Sequence, residues 1–128
     1  MRLLLDTHAL IWWLLGDPAL SPDAKTCIAD YGNEVLVSAA SGWEISTKHR
    51  IGKLPDAAIF AADVSSALAS QGFDELPISL RHAQIAGQLP GDHRDPFDRM
   101  LVAQAILADL TLVSNERVFD RWAIRRLW

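Results

Sequence analysis

Five acidic side chains occupy positions where a predicted strand ends or a predicted helix begins: Asp6, Glu44, Asp95, Asp98 and Glu116. Carboxylates gathered in one place repel one another, and a hard divalent cation such as Mg²⁺ relieves that repulsion. Two such ions about 3.5–4 Å apart are able to activate water and stabilise a leaving oxygen in phosphodiester cleavage. If the fold brings these acids together, the expected chemistry is metal-assisted hydrolysis.

Three of these acids also have an ordinary structural interpretation. Asp6 is suited to cap the helix that follows it. Ser41 and Glu44 have the S-x-x-E spacing of a capping box. Ser114 is suited to cap a short helix that has Glu116 in its first turn. The residues alone leave both interpretations open.

The segment "HRDPFDRM" contains the other two acids. Asp95 precedes Pro96, which predicts a helix N-cap followed by proline at the first helical position. Asp98 then falls in the first turn, where the helix dipole stabilises a carboxylate by roughly 0.3–1 kcal/mol. Two acids beside Arg94 and Arg99 are more than a cap requires.

The elements that must position these acids alternate along the chain. Apolar runs predict strands at 2–5, 34–38, 110–114 and within 73–79, and a final edge strand within 123–128. Helical spacing with caps and closing glycines predicts helices at 7–16, 21–32, 41–52, 56–72, 80–89, 95–109 and 115–122. This order predicts an α/β fold with a mainly parallel sheet covered on both faces. In such sheets the functional crevice lies beyond the carboxyl ends of the strands, where Asp6 stands.

Composition sets further bounds. The chain has 128 residues, half of them hydrophobic, which fits a single domain over 1–128. The net charge of −4 argues mildly against a basic nucleic-acid-binding surface, although acids that hold cations also produce it. One cysteine excludes an internal disulfide framework and favours a reducing cytoplasm. No apolar run approaches the roughly 18 residues of a membrane span, and no signal peptide is recognised.

The sequence resembles the PIN-domain ribonucleases, and among them the VapC-type toxins of bacterial toxin–antitoxin pairs. The resemblance covers nearly the whole chain and rests on four segments: "LLLDTHALIWWL", "VSAASGWEISTKHRIGKL", "HRDPFDRMLVAQA" and "LTLVSNERVFDRW". It implies a three-layer α/β/α PIN-like fold with a central twisted sheet. It also implies Mg²⁺- or Mn²⁺-dependent endonucleolytic cleavage of RNA, a cognate VapB-like antitoxin that blocks the site, and homodimers.

Carried over residue by residue, the resemblance gives Asp6, Glu44 and Asp98 as metal-holding acids. Asp95 is the neighbouring acid of the same motif and shares or takes that role. The family usually has an Asp in a T-x-D turn as its fourth acid, whereas this chain has "SNE", so that Ser114 matches the Thr and Glu116 the Asp. The longer side chain leaves open whether Glu116 contacts metal directly or through water.

Substrate contacts are expected from hydroxyl and basic side chains near the acids. Thr7 and Ser114 adjoin the acids and are suited to hydrogen-bond a carboxylate or a substrate phosphate. The basic candidates for phosphate contacts are Arg94, Arg99, Lys48, Arg50 and Lys53. Each basic residue is equally suited to an ion pair or a solvated surface position.

Two rival functions remain. A PIN-like module that binds RNA or protein without cutting would not need acids at all of these corners. A HAD-like phosphatase uses a strand-end Asp as nucleophile and needs a second Asp two residues later, where this chain has His8.

Overall fold

The computed structural model of the protein describes all 128 residues. Its strands are β1 (Arg2–Leu5), β2 (Glu34–Ser38), β3 (Asp74–Leu76), β4 (Thr111–Val113) and β5 (Arg125–Leu127). Its α-helices are α1 (Thr7–Leu15), α2 (Pro22–Ala29), α3 (Ala39–Arg50), α4 (Ala58–Ala61), α5 (Val64–Gln71), α6 (Leu80–Gln88) and α7 (Pro96–Ala108). Short 3-10 helices lie at Pro55–Ala57 and Arg117–Arg121.

The five strands form one sheet in the order β3-β2-β1-β4-β5, and every neighbouring pair is parallel. Parallel pairing follows from the helical crossovers between strands. The predicted parallel sheet is confirmed, and β5 lies at the edge as expected.

Strand β1 lies at the centre of the sheet and is buried on both faces. Leu3 and Leu5 pack into one core cluster with α1, α2 and α5, whereas Leu4 packs into a second cluster with α7. Successive side chains of a strand point to opposite faces, so three consecutive leucines supply both cores. The result is the three-layer α/β/α arrangement that the sequence predicted. No helix of the protein combines the length and the apolar character that a membrane span requires.

Three predicted helix boundaries were wrong. The helix predicted from residue 41 begins at Ala39, because Ser38 at the end of β2 caps it. The single helix predicted over 56–72 is broken, because the Asp63 side chain accepts hydrogen bonds from the N–H and hydroxyl of Ser66 and starts α5 there. Helix α2 ends at Ala29 rather than near residue 32, where Asp30 instead forms a turn with the N–H of Gly32.

Candidate functional site

The carboxyl ends of three adjacent strands converge at one edge of the sheet. β1 leads into Asp6, β2 leads through Ser38 into α3, and β4 leads into Ser114. The N–H of Asp6 donates to the carbonyl of Val113 at 3.0 Å, which extends the pairing of β1 with β4 by one step. The side chains that follow these strands are therefore attached to the three central strands of the sheet.

Asp6 is both a helix cap and a buried acid. Its Oδ1 accepts a 2.7 Å hydrogen bond from the N–H of Ala9, which confirms the predicted cap. Only 4% of the residue is exposed. Burial raises the pKa of Asp6 to about 6, although hydrogen bonding by Ser114 and Ala9 opposes the shift. A cap alone does not call for so much burial, because most N-caps lie at the protein surface.

Glu44 is buried in the middle of α3 and faces α1. Its Oε1 accepts a 2.5 Å hydrogen bond from the Thr7 hydroxyl, and its Oε2 accepts a 2.5 Å ion-pair contact from Nζ of Lys48. The predicted capping box with Ser41 was wrong, because the helix starts two residues earlier and the buried Ser41 hydroxyl lies 3.1 Å from that of Thr7. The side chain of Glu44 is thus held by a tertiary contact with Thr7 and by an ion pair with Lys48 on its own helix.

Asp95 and Asp98 lie at the start of α7 and have different partners. Oδ1 of Asp95 accepts hydrogen bonds from the N–H groups of Phe97 and Asp98, as the predicted N-cap requires, whereas its Oδ2 has no partner within the protein. Oδ2 of Asp98 lies 2.9 Å from Nε2 of His93. Burial raises the pKa of Asp98 to about 6, and the charges of Asp95 and Glu116 add to the shift while His93 opposes it.

Glu116 lies just before the 3-10 helix that follows β4, and its N–H donates to the Ser114 hydroxyl at 3.0 Å. Its carboxylate caps nothing and comes within 3.9 Å of Nδ1 of His8. Glu116 was predicted to lie in the first turn, whereas it occupies the N-cap position directly before the helix. The negative charge of Glu116 contributes to the raised pKa of both Asp6 and Asp98, although burial is the larger cause for each.

The five acids form one electrostatic group, whose members are linked in pairs or through Lys48. Glu116 couples Asp6 to Asp98, and a single ammonium group links the remaining members. That ammonium group belongs to Lys48, and the charges of Glu44, Asp95 and Asp98 all raise its pKa. No three His, Cys, Asp or Glu side chains lie close enough together to surround one metal ion. Protein donors engage the central carboxylates individually instead, namely Lys48 and Thr7 at Glu44, and His93 at Asp98.

The two arginines of the motif occupy different environments. The Arg99 guanidinium donates to three backbone carbonyls, those of Ala86, Leu89 and His93, and so fastens the loop before α7 to α6. Arg94 is exposed and makes no hydrogen bond or ion pair. Arg99 therefore has a structural role, whereas all the donors of Arg94 remain available for a substrate.

Two partners of the acids have roles that the sequence analysis did not assign. Lys48 was a candidate for a phosphate contact or an ion pair, and the structure pairs it with Glu44. The Glu–Lys spacing of four residues on a helix was the available signal. His93 pairs with Asp98 from a loop five residues earlier, and no periodicity in the sequence announces that contact.

The sequence matches the family model for the PIN domain over residues 3–124. The chain therefore belongs to the PIN domain family, and the predicted family membership is confirmed. Ribonuclease VapC16 of Mycobacterium tuberculosis is 37% identical over 73 residues, which cover 54% of this chain and 50% of that protein. The match thus spans about half the length of that relative.

Solved structures from toxin–antitoxin systems share the fold. A DNA-bound VapBC from Salmonella typhimurium contains a chain with a TM-score of 0.71 and 18% identity, covering 99% of this chain and 97% of that chain. VapBC2 of Rickettsia felis, bound to a fragment of its promoter, gives a TM-score of 0.70 and 17% identity, covering 99% and 98%. At these identities the similarity establishes the fold, and it agrees with the predicted PIN-like architecture.

Proposed function

We propose that the protein is the toxin of a VapC-type toxin–antitoxin pair and acts as a divalent-metal-dependent endoribonuclease. One observation supports the proposal: Asp6, Glu44 and Asp98 are far apart in the chain but connected through shared neighbours, because Thr7 joins the end of β1 to Glu44 and the charge of Lys48 acts with both Glu44 and Asp98. Asp6 and Glu44 are almost fully buried. In a PIN domain, such a cluster is more than folding requires, because buried carboxylates are costly without a compensating cation.

The donor set fits Mg²⁺ or Mn²⁺. All of the candidate ligands are carboxylate oxygens, which hard divalent cations prefer, and the chain's one cysteine, Cys27, is not part of the site. We assign Asp6, Glu44 and Asp98 as the residues that would hold the ion. Asp95 joins them through its unpartnered Oδ2, and Glu116 acts at the outer side of the site, directly or through water.

The chain's own groups then have separate tasks. A bound divalent ion lowers the pKa of a water molecule and offsets charge on the phosphoryl oxygens. The half-exposed carboxylate of Glu116 is free to accept a hydrogen bond from water and orient it toward the phosphate. Thr7 and Ser114 position carboxylates, since the Thr7 hydroxyl donates to Glu44 and the Ser114 hydroxyl hydrogen-bonds Asp6. Arg94 supplies the phosphate contact.

The proposed partners follow from the same assignment. Proteins with this fold occur in VapBC and other toxin–antitoxin complexes. We propose RNA as substrate, a cognate VapB-like antitoxin as the inhibitor that covers the acidic site, and a homodimer acting in the cytoplasm.

A non-catalytic PIN-like module is the second candidate, and the raised pKa values argue against it. Acids held at a pKa of about 6 weaken the fold at neutral pH, so a scaffold without catalysis would gain from losing them. The phosphatase alternative fails for lack of the second Asp, because His8 stands two residues after Asp6.

The experiment is to sequence RNA ends after a brief pulse of expression, with Asp98→Asn as the matched control. The proposal predicts new RNA ends at defined sequences within minutes for the wild type and none for the variant. Identical end profiles for both, at equal protein levels, would refute catalysis and favour the binding module. The positions of the ends would also identify the RNA.

A further inference from the structure

Both carboxylate oxygens of Glu44 are engaged within the protein. Thr7 donates to Oε1, and the ammonium of Lys48 contacts Oε2 at 2.5 Å from one helical turn further along α3. The Lys48 side chain is about one-third exposed, so its aliphatic stem crosses from the protein surface to a buried carboxylate. It is the one lysine that reaches the acids: Lys25 and Lys53 are exposed and make no side-chain hydrogen bond or ion pair.

The charges of three of the five acids act on Lys48. Burial lowers the pKa of a lysine, but the hydrogen bond to Glu44 and the charges of Glu44, Asp95 and Asp98 outweigh it and raise the pKa of Lys48. Its positive charge therefore offsets part of the repulsion that a divalent cation would otherwise have to relieve.

An ammonium group and a divalent ion held at contact distance on Oε2 of Glu44 would each use one of its lone pairs and lie close together, so their like charges would repel strongly in this buried site. We propose that Lys48 is a tethered counter-ion that holds Glu44 in place when no metal is bound and is displaced from Oε2 when a divalent ion enters. The inference rests on the metal-binding part of the proposed function and deepens it, because it names a residue that sets the metal concentration at which the site loads.

The first test uses the wild-type protein and amine labelling. Lys25, Lys48 and Lys53 are the only lysines, so a brief reaction with an amine-reactive ester, followed by peptide mapping, gives a separate rate for each. We expect Mg²⁺ or Mn²⁺ to raise the labelling rate of Lys48 by about tenfold, the factor that corresponds to losing a charged hydrogen bond. The rates of Lys25 and Lys53 should stay constant, as should all three rates in KCl of equal ionic strength.

The second test measures metal affinity by calorimetry. Lys48→Gln removes the competing charge and should bind Mg²⁺ about tenfold more tightly than the wild type, whereas the surface control Lys25→Gln should not differ from it. If Lys48→Gln folds only when Mg²⁺ is present, that dependence also supports the counter-ion role.

The outcomes separate this inference from the proposed function. Metal uptake with unchanged Lys48 labelling, or equal or weaker Mg²⁺ binding by a folded Lys48→Gln, would overturn the counter-ion role and leave the nuclease proposal intact. Failure of the wild type to bind either Mg²⁺ or Mn²⁺ would overturn both.

Discussion

Thr7 and Glu44 are 37 residues apart in the chain, and a buried 2.5 Å hydrogen bond joins their side chains. Thr7 is the first residue of α1 and directly follows Asp6, so the bond fixes α3 against the strand end that supplies the first acid. Ser41 lies 3.1 Å from the same hydroxyl and completes a small buried polar group. The two acids are therefore positioned relative to each other by protein contacts before any cation binds.

Thr7→Val tests that contact. The variant keeps the shape but removes the donor, which leaves a buried carboxylate oxygen unsatisfied, and we expect the free energy of unfolding to fall by about 1–3 kcal/mol. Thr26 lies on the exposed face of α2. The control variant Thr26→Val should change the free energy of unfolding by less than about 0.5 kcal/mol. Urea unfolding of both variants measures these changes. Equal losses in the two variants would show that the buried hydrogen bond of Thr7 does not stabilise the fold.

Asp6→Asn should make the metal-free protein more stable at neutral pH. The pKa of Asp6 is raised from 3.8 to about 6, so the folded state binds a proton more tightly than the unfolded chain between these values. Stability from this group is therefore greatest at low pH and falls as the pH rises toward 6 and beyond. Asparagine retains the helix cap and cannot ionise, so the variant should gain about 2 kcal/mol at pH 7.

The measurement for Asp6 is denaturant unfolding at pH 4 and pH 7 in the presence of a chelator. The advantage of Asp6→Asn over the wild type should be present at pH 7 and nearly vanish at pH 4. A variant that is less stable than the wild type at pH 7 would contradict the assignment of Asp6 as a buried, destabilising acid.

Arg99→Met should lower the stability of the fold, whereas Arg94→Met should weaken RNA binding. Loss of the Arg99 guanidinium leaves the carbonyls of Ala86, Leu89 and His93 without their donor, and we expect unfolding to be easier by roughly 3 kcal/mol. Arg94→Met should alter stability by less than about 0.5 kcal/mol but weaken binding of single-stranded RNA, with a salt slope smaller by about 0.7 per lost phosphate contact. Thermal unfolding and RNA titrations on an Asp6→Asn background measure both effects.

Glu116→Gln addresses the acid whose contact with metal is open. Its charge contributes to the raised pKa values of Asp6 and Asp98, so the neutral variant should lower both, as carboxyl NMR titration would detect. We expect Mg²⁺ affinity to fall by about tenfold, as for other groups that support a metal site from its periphery, whereas Glu116→Asp should retain most of it. Unchanged titration of Asp6 and Asp98 would show that Glu116 lies outside the electrostatic group.

Local signals in the sequence were enough to predict the sheet and the ends of its strands. Three leucines before Asp6, "EVLVS" before α3 and "TLV" before Ser114 predicted buried parallel strands, and the geometry of such sheets predicted that the acids lie at one edge. The caps at Asp6 and Asp95 were equally local, since each side chain accepts a hydrogen bond from an N–H two or three residues later.

Tertiary contacts decided what the sequence could not. The spacing of Ser41 and Glu44 satisfies a capping box, yet the buried end of β2 made Ser38 the cap and turned Glu44 toward Thr7. Arg94 and Arg99 are the same residue type in the same motif, and only the fold shows that Arg99 binds backbone carbonyls. Partner choice for a long polar side chain depends on burial, which periodicity does not specify.

Cleavage of single-stranded RNA by the purified protein tests the central claim most directly, with Mg²⁺, with chelator, and with Asp6→Asn in Mg²⁺. The account predicts cleavage only by the wild type in Mg²⁺, with products that lack a 2′,3′-cyclic phosphate because water rather than the 2′-hydroxyl attacks. Circular dichroism should show that Asp6→Asn remains folded. Cleavage that persists in chelator, or in a folded Asp6→Asn, would contradict a metal-dependent site built from these acids.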